Sequence, residues 1–163
     1  MLSKIKLLSI VLLSFILLVN TKTKAQTGKL FPFQIMEPNG KIFIAQNLPY
    51  EKPIVIIYFS PDCEDCLSFM DKFFDNVVNF KKASIVMISY LPIEDVTKFA
   101  LKYKTANYKN LIVGTEGSSF SVKNYYKIMD MPFLALYDKN GNIQCSYQKN
   151  IPLNDIISKL QKL

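Results

Sequence analysis

The sequence contains no histidine, no arginine and no tryptophan, and only three cysteines among its 163 residues. Without histidine, imidazole metal sites and the Ser-His and Cys-His pairs of nucleophilic catalysis are excluded. Without arginine, the bidentate guanidinium contacts common in the recognition of bases and phosphates are excluded as well. Three cysteines are too few for a fold held together by several disulfides.

The positive charge of the chain, +7 overall, is concentrated at its N-terminus. Four of the 20 lysines lie in the first 24 residues, which contain no acid, so the rest of the chain carries 16 lysines against 13 acids. The densest cluster in that remainder is the pair Lys81-Lys82. A nucleic-acid binder concentrates basic residues on its folded part. We therefore interpret the lysines as a solvated surface and expect no nucleic-acid partner.

The first 25 residues have the pattern of a secretory signal peptide. Lys4 and Lys6 precede a mostly apolar run over 7–19, and Ala25 offers a small residue before a cleavage point. That run is shorter than the roughly 20 residues that a membrane-spanning helix needs. We predict export to a compartment that permits disulfides, with residues 26–163 forming one domain. The alternative is an uncleaved anchor, and only that form would bind a membrane.

Apolar runs and turn residues predict a mixed α/β domain. Short strands over 31–36 and 41–44 flank the turn Pro38-Asn39-Gly40 and form an N-terminal hairpin. The run 54–59 is apolar throughout, as expected of a strand buried on both faces. Further strands are expected over 84–90, 109–114, 131–137 and 142–148. Helices are expected after residue 60 and over 92–103, 121–126 and 153–160.

Cys63 and Cys66 follow the buried strand and stand at the start of the next helix. One helical turn brings the two sulfurs close enough to bond, and the helix N-terminus favours a thiolate at the first sulfur. A zinc site would need further Cys or His ligands, and only Cys145 remains. A permanent structural disulfide is the other alternative. The placement predicts a redox-active pair. Cys145 shares a strand face with Ile143 and Tyr147, which indicates a buried packing residue, and a third redox thiol is the alternative.

Three features of the sequence resemble the thioredoxin superfamily, and more narrowly its exported TlpA/ResA-like thiol-disulfide oxidoreductases. The first is the segment 58–66, Tyr-Phe-Ser-Pro-Asp-Cys-Glu-Asp-Cys, and the second is the segment 126–138 around Met131-Pro132. The third is the N-terminal hairpin behind a signal segment. The resemblance implies a thioredoxin-like fold, in which helices flank a central mixed β-sheet that carries an added N-terminal β-hairpin. It also implies that Cys63 is the nucleophile and Cys66 the resolving thiol. Pro132 would be a cis-proline facing the disulfide, and Met131 would present its backbone to a substrate.

The same resemblance implies a periplasmic enzyme that exchanges its dithiol with protein thiols and disulfides. No organic cofactor and no metal would be required. A membrane-embedded electron donor would return the oxidised pair to its dithiol form.

The sequence departs from the family pattern at two places that affect the chemistry. Ile57 stands six residues before Cys63, where cytosolic thioredoxins have a buried aspartate that accepts a proton. Glu64 and Asp65 lie between the cysteines, and like charges disfavour a thiolate at Cys63. We expect these two acids to modulate the site by lowering its reduction potential, which favours action as a reductant.

Two other functions stay open from the sequence. Ser60 lies three residues before Cys63, which resembles the Thr/Ser-x-x-Cys of peroxiredoxins. However, the proline of that motif is Ile56 here, and the arginine that polarises the peroxide is missing. The remaining alternative is a non-enzymatic binding module with a structural disulfide.

Overall fold

The computed structural model describes residues 28–49 and 51–163 of the protein. The expected signal peptide lies outside the described residues and stays a prediction. Among the residues that are described, no helix is long and apolar enough to cross a membrane.

The described residues form seven strands and four α-helices. The strands are β1 (Gln34–Met36), β2 (Ile42–Ile44), β3 (Ile54–Tyr58), β4 (Ser84–Ser89), β5 (Leu111–Thr115), β6 (Phe133–Tyr137) and β7 (Ile143–Gln148). The helices are α1 (Glu64–Asp75), α2 (Ile93–Lys102), α3 (Ser121–Tyr125) and α4 (Leu153–Leu160). Every element expected from the sequence is present, and most are one to three residues shorter than expected at one end.

All seven strands belong to one mixed sheet with the order β2-β1-β5-β4-β3-β6-β7. β3, β4 and β5 are parallel, whereas β6 runs antiparallel to β3 and β7 antiparallel to β6. The expected hairpin is confirmed, because β1 and β2 pair antiparallel with Ile35 opposite Phe43. It extends the sheet through the pairing of Met36 with Thr115 of β5.

The strands at the centre of the sheet are buried on both faces, as their continuous apolar sequences predict. Every residue of β3, β4 and β6 is buried. On one face, α1, α2 and α4 cover the sheet and supply Phe73, Val96 and Ile156 to the core. On the other face, α3 supplies Val122 to a second core, to which the hairpin strands contribute Ile35 and Phe43. The expected central mixed sheet flanked by helices is therefore confirmed.

Candidate redox site

The turn between β3 and α1 places the first cysteine at the start of the helix. The backbone N–H of Cys63 donates to the carbonyl of Ser60 at 3.2 Å, which closes a tight turn after the strand. The helix begins at Glu64, so Cys63 is its N-cap residue. The sulfur of Cys63 accepts a hydrogen bond from the backbone N–H of Cys66 at 3.4 Å. It thus takes the place of the side-chain oxygen that usually satisfies a free N–H at a helix start.

The two cysteines have different environments although one helical turn separates them. Cys63 is half-buried and reaches the surface, whereas Cys66, in the first turn of α1, is completely buried in the core. Both are free thiols. Burial raises the pKa of the Cys66 thiol to about 12; a hydrogen bond from the Ser60 N–H lowers it, and the neighbouring Cys63 and Asp65 raise it. The accessible sulfur therefore has a buried, protonated partner directly behind it.

The loop before β6 comes to the same end of the sheet as the cysteines. Tyr58, the last residue of β3, pairs with Phe133, so Pro132 precedes a residue that lies directly beside the end of β3. The Met131–Pro132 peptide bond is cis. The carbonyl of Pro132 accepts the N–H of Lys149 at 2.8 Å, and Met131 packs against the core that includes Cys66.

Gln148 holds this loop in place, a role that its sequence position does not indicate. Its side-chain oxygen accepts the backbone N–H groups of Met129 at 2.8 Å and Asp130 at 3.0 Å. Its amide nitrogen donates to the carbonyl of Lys127 at 3.3 Å. As a result, Met129, with 86% of its surface exposed, projects from a loop whose backbone is fixed.

Two open cavities flank the start of α1. One, of about 360 Å³, has an apolar floor that includes Leu67, Leu91 and Phe99, with Asp62 among its lining residues. The other, of about 450 Å³, runs between α1 and the segment after β7, and its lining includes Asp65 and Lys149.

Side chains around the turn form a polar group of Ser60, Asp62 and Tyr90. Ser60 is 1% exposed. Its hydroxyl donates to the carboxylate of Asp62 and lies 3.5 Å from the hydroxyl of Tyr90. Ile57, in the position where cytosolic thioredoxins have an aspartate, is completely buried among apolar side chains.

A buried carboxylate anchors the segment that leads to the Met131–Pro132 loop. Glu116, 9% exposed, accepts the hydroxyl of Tyr58 and the N–H of Val122, each at 2.7 Å. It also accepts the hydroxyl of Ser121 at 3.0 Å. Because these donors include the first turn of α3, Glu116 fixes the start of the helix that precedes the loop.

Three further predictions from the sequence concern the two acids between the cysteines, Cys145 and the presence of a metal. Glu64 and Asp65 lie in the first turn of α1 and are exposed beside the sulfurs. Cys145 is half-buried rather than fully buried, because β7 is an edge strand and leaves one side of the residue open. In the part of the chain that the structure describes, no group of acidic residues and cysteines is placed to hold a metal ion.

Similarity to known proteins is found at the level of three-dimensional structure. No protein-family model and no curated protein matches the sequence. The pneumococcal exposed lipoprotein thioredoxin of Streptococcus pneumoniae matches with a TM-score of 0.63 and 19% identity, covering 82% of this chain and 100% of that one. The chain has a thioredoxin-like fold. A secreted Mycobacterium tuberculosis disulfide oxidoreductase homologous to Escherichia coli DsbE matches with a TM-score of 0.66 and 16% identity, over 80% of this chain and 96% of that one.

A 2-Cys peroxiredoxin has a similar fold. The mitochondrial 2-Cys peroxiredoxin of Plasmodium falciparum matches with a TM-score of 0.63 and 13% identity, covering 83% of this chain and 92% of that one. At such identities the likeness establishes the fold alone. Any function must therefore be argued from the residues of the site.

Proposed function

We propose that the protein is a thiol-disulfide oxidoreductase that uses Cys63 and Cys66. The observation that carries this proposal is the pairing of an accessible sulfur at a helix start with a buried thiol one turn behind it. The 3.4 Å contact from the Cys66 N–H to the Cys63 sulfur supports the proposal further. A backbone N–H pointing at sulfur stabilises the thiolate, which is the attacking form.

The reaction needs only the two cysteines and the substrate. The Cys63 thiolate attacks one sulfur of a substrate disulfide, and the other substrate sulfur leaves as a thiolate. Cys66 then loses its proton and attacks the Cys63 sulfur, which releases the first substrate sulfur as a thiolate. The substrate gains two electrons and is reduced, while Cys63 and Cys66 are joined in a disulfide.

Met131 and Pro132 are the proposed contacts for the substrate backbone. They lie next to the end of β3, from which the cysteine turn departs. The hydrogen bonds of Gln148 keep the loop rigid, and a rigid loop lowers the entropic cost of aligning a substrate sulfur.

We further propose that the protein acts outside the cytoplasm as a reductant of the TlpA/ResA-like type. Its proposed substrates are secreted proteins, and a membrane-embedded donor would supply its electrons. The signal-peptide pattern of residues 1–25 supports export, and two of its structural neighbours are described as exposed or secreted. Glu64 and Asp65 would keep the potential low. Replacing both by Gln and Asn should raise the reduction potential by on the order of 10–20 mV, measured by equilibration with glutathione.

The central experiment combines a redox titration with a trap. A Cys66→Ser variant should accumulate mixed disulfides with exported proteins through Cys63, because the resolving thiol is gone. Cys145→Ser is the matched control, and it should accumulate none. A Cys63–Cys66 disulfide too stable for any cellular donor to reduce would contradict the proposal and favour the non-enzymatic binding module.

A peroxidase is the competing function, because a 2-Cys peroxiredoxin shares the fold. The hydroxyl of Ser60, which would correspond to the motif of that family, donates to Asp62. The chain also contains no arginine to polarise a peroxide. Consumption of hydrogen peroxide at rates above those of a free thiol, lost in Cys63→Ser, would favour the peroxidase over the oxidoreductase.

A further inference from the structure

Met129 carries the most exposed large apolar side chain in the part of the chain that the structure describes. Its exposed fraction is 86%, against 73% for Leu101, the next highest. Single exposed apolar residues are common on protein surfaces, so exposure by itself assigns no role. Met129 differs from the others in its position, because the loop that carries it continues directly into Met131 and Pro132.

Buried residues hold the chain on both sides of Met129. Ile128, the residue before it, is 2% exposed and belongs to the core on the hairpin side of the sheet. The N–H of Ile128 also donates to the carbonyl of Lys123 in α3, at 2.9 Å. Met131, two residues after Met129, packs against the core that includes Cys66. The exposure of Met129 therefore belongs to a loop that is anchored at both ends.

Gln148, at the end of β7, fixes the exposed tip of this loop. Its side-chain oxygen accepts the N–H groups of Met129 and Asp130, at 2.8 Å and 3.0 Å. The next residue, Lys149, donates its N–H to the carbonyl of Pro132 at 2.8 Å. A loop with a fixed backbone loses less conformational freedom when it binds a partner. The side chain of Met129 is thus presented to solvent at a low entropic cost of contact.

Met129 lies near the end of the sheet where the cysteine turn begins. Phe133 pairs with Tyr58, the last residue of β3, and Met129 precedes Phe133 by four positions. Four residues of extended chain span at most about 14 Å, which limits the distance between the Cα atoms of Met129 and Phe133. A substrate chain bonded to Cys63 that contacts Met131, as proposed, therefore brings neighbouring side chains within reach of Met129.

The other large apolar side chains that are more than half exposed, among the described residues, lie elsewhere. α2 joins the end of β4 to the start of the parallel strand β5, so Leu101 in its last turn lies at the opposite end of the sheet. Val78 lies between α1 and the start of β4, at that same opposite end. Ile42 is on the edge strand β2. Met129 alone combines this exposure with a place in the loop that leads to Pro132.

We propose that Met129 is a specificity-determining residue, which contacts an apolar side chain of the substrate within a few residues of the substrate's reactive cysteine. This assignment rests on the proposed oxidoreductase function and names the class of protein segment that the site prefers. The side chain of methionine is unbranched and polarisable, so it packs against aliphatic and aromatic groups alike. The preference is therefore for apolar character and not for a single residue type.

The test measures the first exchange step with short peptides. Each peptide consists of glycine and serine around one cysteine, which is joined in a disulfide to thionitrobenzoate. Attack of the Cys63 thiolate on the peptide sulfur forms the mixed disulfide and releases coloured thionitrobenzoate. A Cys145→Ser background removes the third thiol, and stopped-flow absorbance gives the second-order rate constant. One leucine is placed in turn at each position from three residues before to three residues after the cysteine, and a reference peptide has none.

At least one leucine peptide should react with the parent protein about three- to tenfold faster than the reference peptide, as expected for partial burial of an aliphatic side chain. Met129→Gln should remove most of this advantage and leave the rate for the reference peptide unchanged. Met129→Leu, which keeps the apolar character, should retain it. Leu101→Gln is the matched control, because it makes the same kind of change at the opposite end of the sheet, and it should also retain the advantage.

Three results would overturn the assignment. The parent protein could show no preference for any leucine peptide, or Met129→Gln could keep the full preference. Met129→Gln could also slow all peptides equally, in which case Met129 would act on the chemistry of Cys63 and not on recognition. A parent protein that releases thionitrobenzoate from every peptide no faster than a free thiol does would instead refute the proposed function itself.

Discussion

The hydrogen bond between Tyr58 and Glu116 offers the sharpest test of how the core is stabilised. Tyr58→Phe removes one hydroxyl from a phenol that is completely buried, and takes one donor from a carboxylate that is 9% exposed. The oxygen-to-oxygen distance is 2.7 Å. The ring keeps its place between the strands, so the variant changes the polar contact with little effect on apolar packing.

The expected cost follows from the environment of the carboxylate. A hydrogen bond to a charged group contributes about 1.5–3 kcal/mol, and water cannot replace the missing donor inside the core. We therefore expect Tyr58→Phe to lower the free energy of unfolding by about 2 kcal/mol, which corresponds to a decrease in Tm of about 4–8 °C for a chain of this size.

Tyr103→Phe is the matched control, because Tyr103 also donates to a carboxylate at 2.7 Å, that of Asp71, but at the surface. Water can replace this contact, so the control should change stability by less than about 0.5 kcal/mol. Urea unfolding followed by circular dichroism measures both variants. An equal decrease in the free energy of unfolding of the two variants, or no decrease in Tyr58→Phe, would refute the argument that burial of Glu116 makes its hydrogen bonds strongly stabilising.

Three further predictions concern the loop, the sheet and the pH dependence of stability. Gln148→Ala should lower kcat/KM for exchange with a peptide disulfide severalfold, because two loop N–H groups lose their acceptor. Gln144→Ala, on the same strand, is the control and should leave kcat/KM unchanged. Gly114→Ala should destabilise the protein by about 1–3 kcal/mol in urea unfolding, since a Cβ there would lie 2.5 Å from a carbonyl oxygen of β1. Burial raises the pKa of Cys66 and of Tyr137 to about 12, so the folded state keeps protons that the unfolded chain loses from about pH 9 upward. The free energy of unfolding should therefore fall between about pH 9 and about pH 12, with intact stability below that range in unfolding curves at each pH.

Local sequence patterns were enough to predict the elements and the position of the redox pair. The run Ile54–Tyr58 is apolar at every position, and a short strand of this kind is stable only between two covered faces. The turn Pro38-Asn39-Gly40 likewise separates two short strands by only a few residues, which favours their pairing as a hairpin. The placement of Cys63 and Cys66 follows from the same logic, because a strand that ends at a proline-containing turn delivers the next residues to a helix start.

The contacts that distinguish this site could not be predicted in the same way. Tyr58 and Glu116 are 58 positions apart, and Gln148 lies 19 positions from Met129. No periodicity relates such residues. Tyr58 and Glu116 meet because β4 joins β3 to β5 in the sheet, and Gln148 reaches the loop before β6 because β7 pairs with β6.

The sequence by itself determined that a Cys-x-x-Cys pair follows a buried strand in an α/β domain, because strand, turn and helix preferences act between near neighbours. Only the tertiary structure decided that the carboxylate of Glu116 is buried at the start of α3 and accepts the hydroxyl of Tyr58. The physical reason is that a carboxylate acquires its role from the donors and the water around it, and packing brings these together from distant parts of the chain.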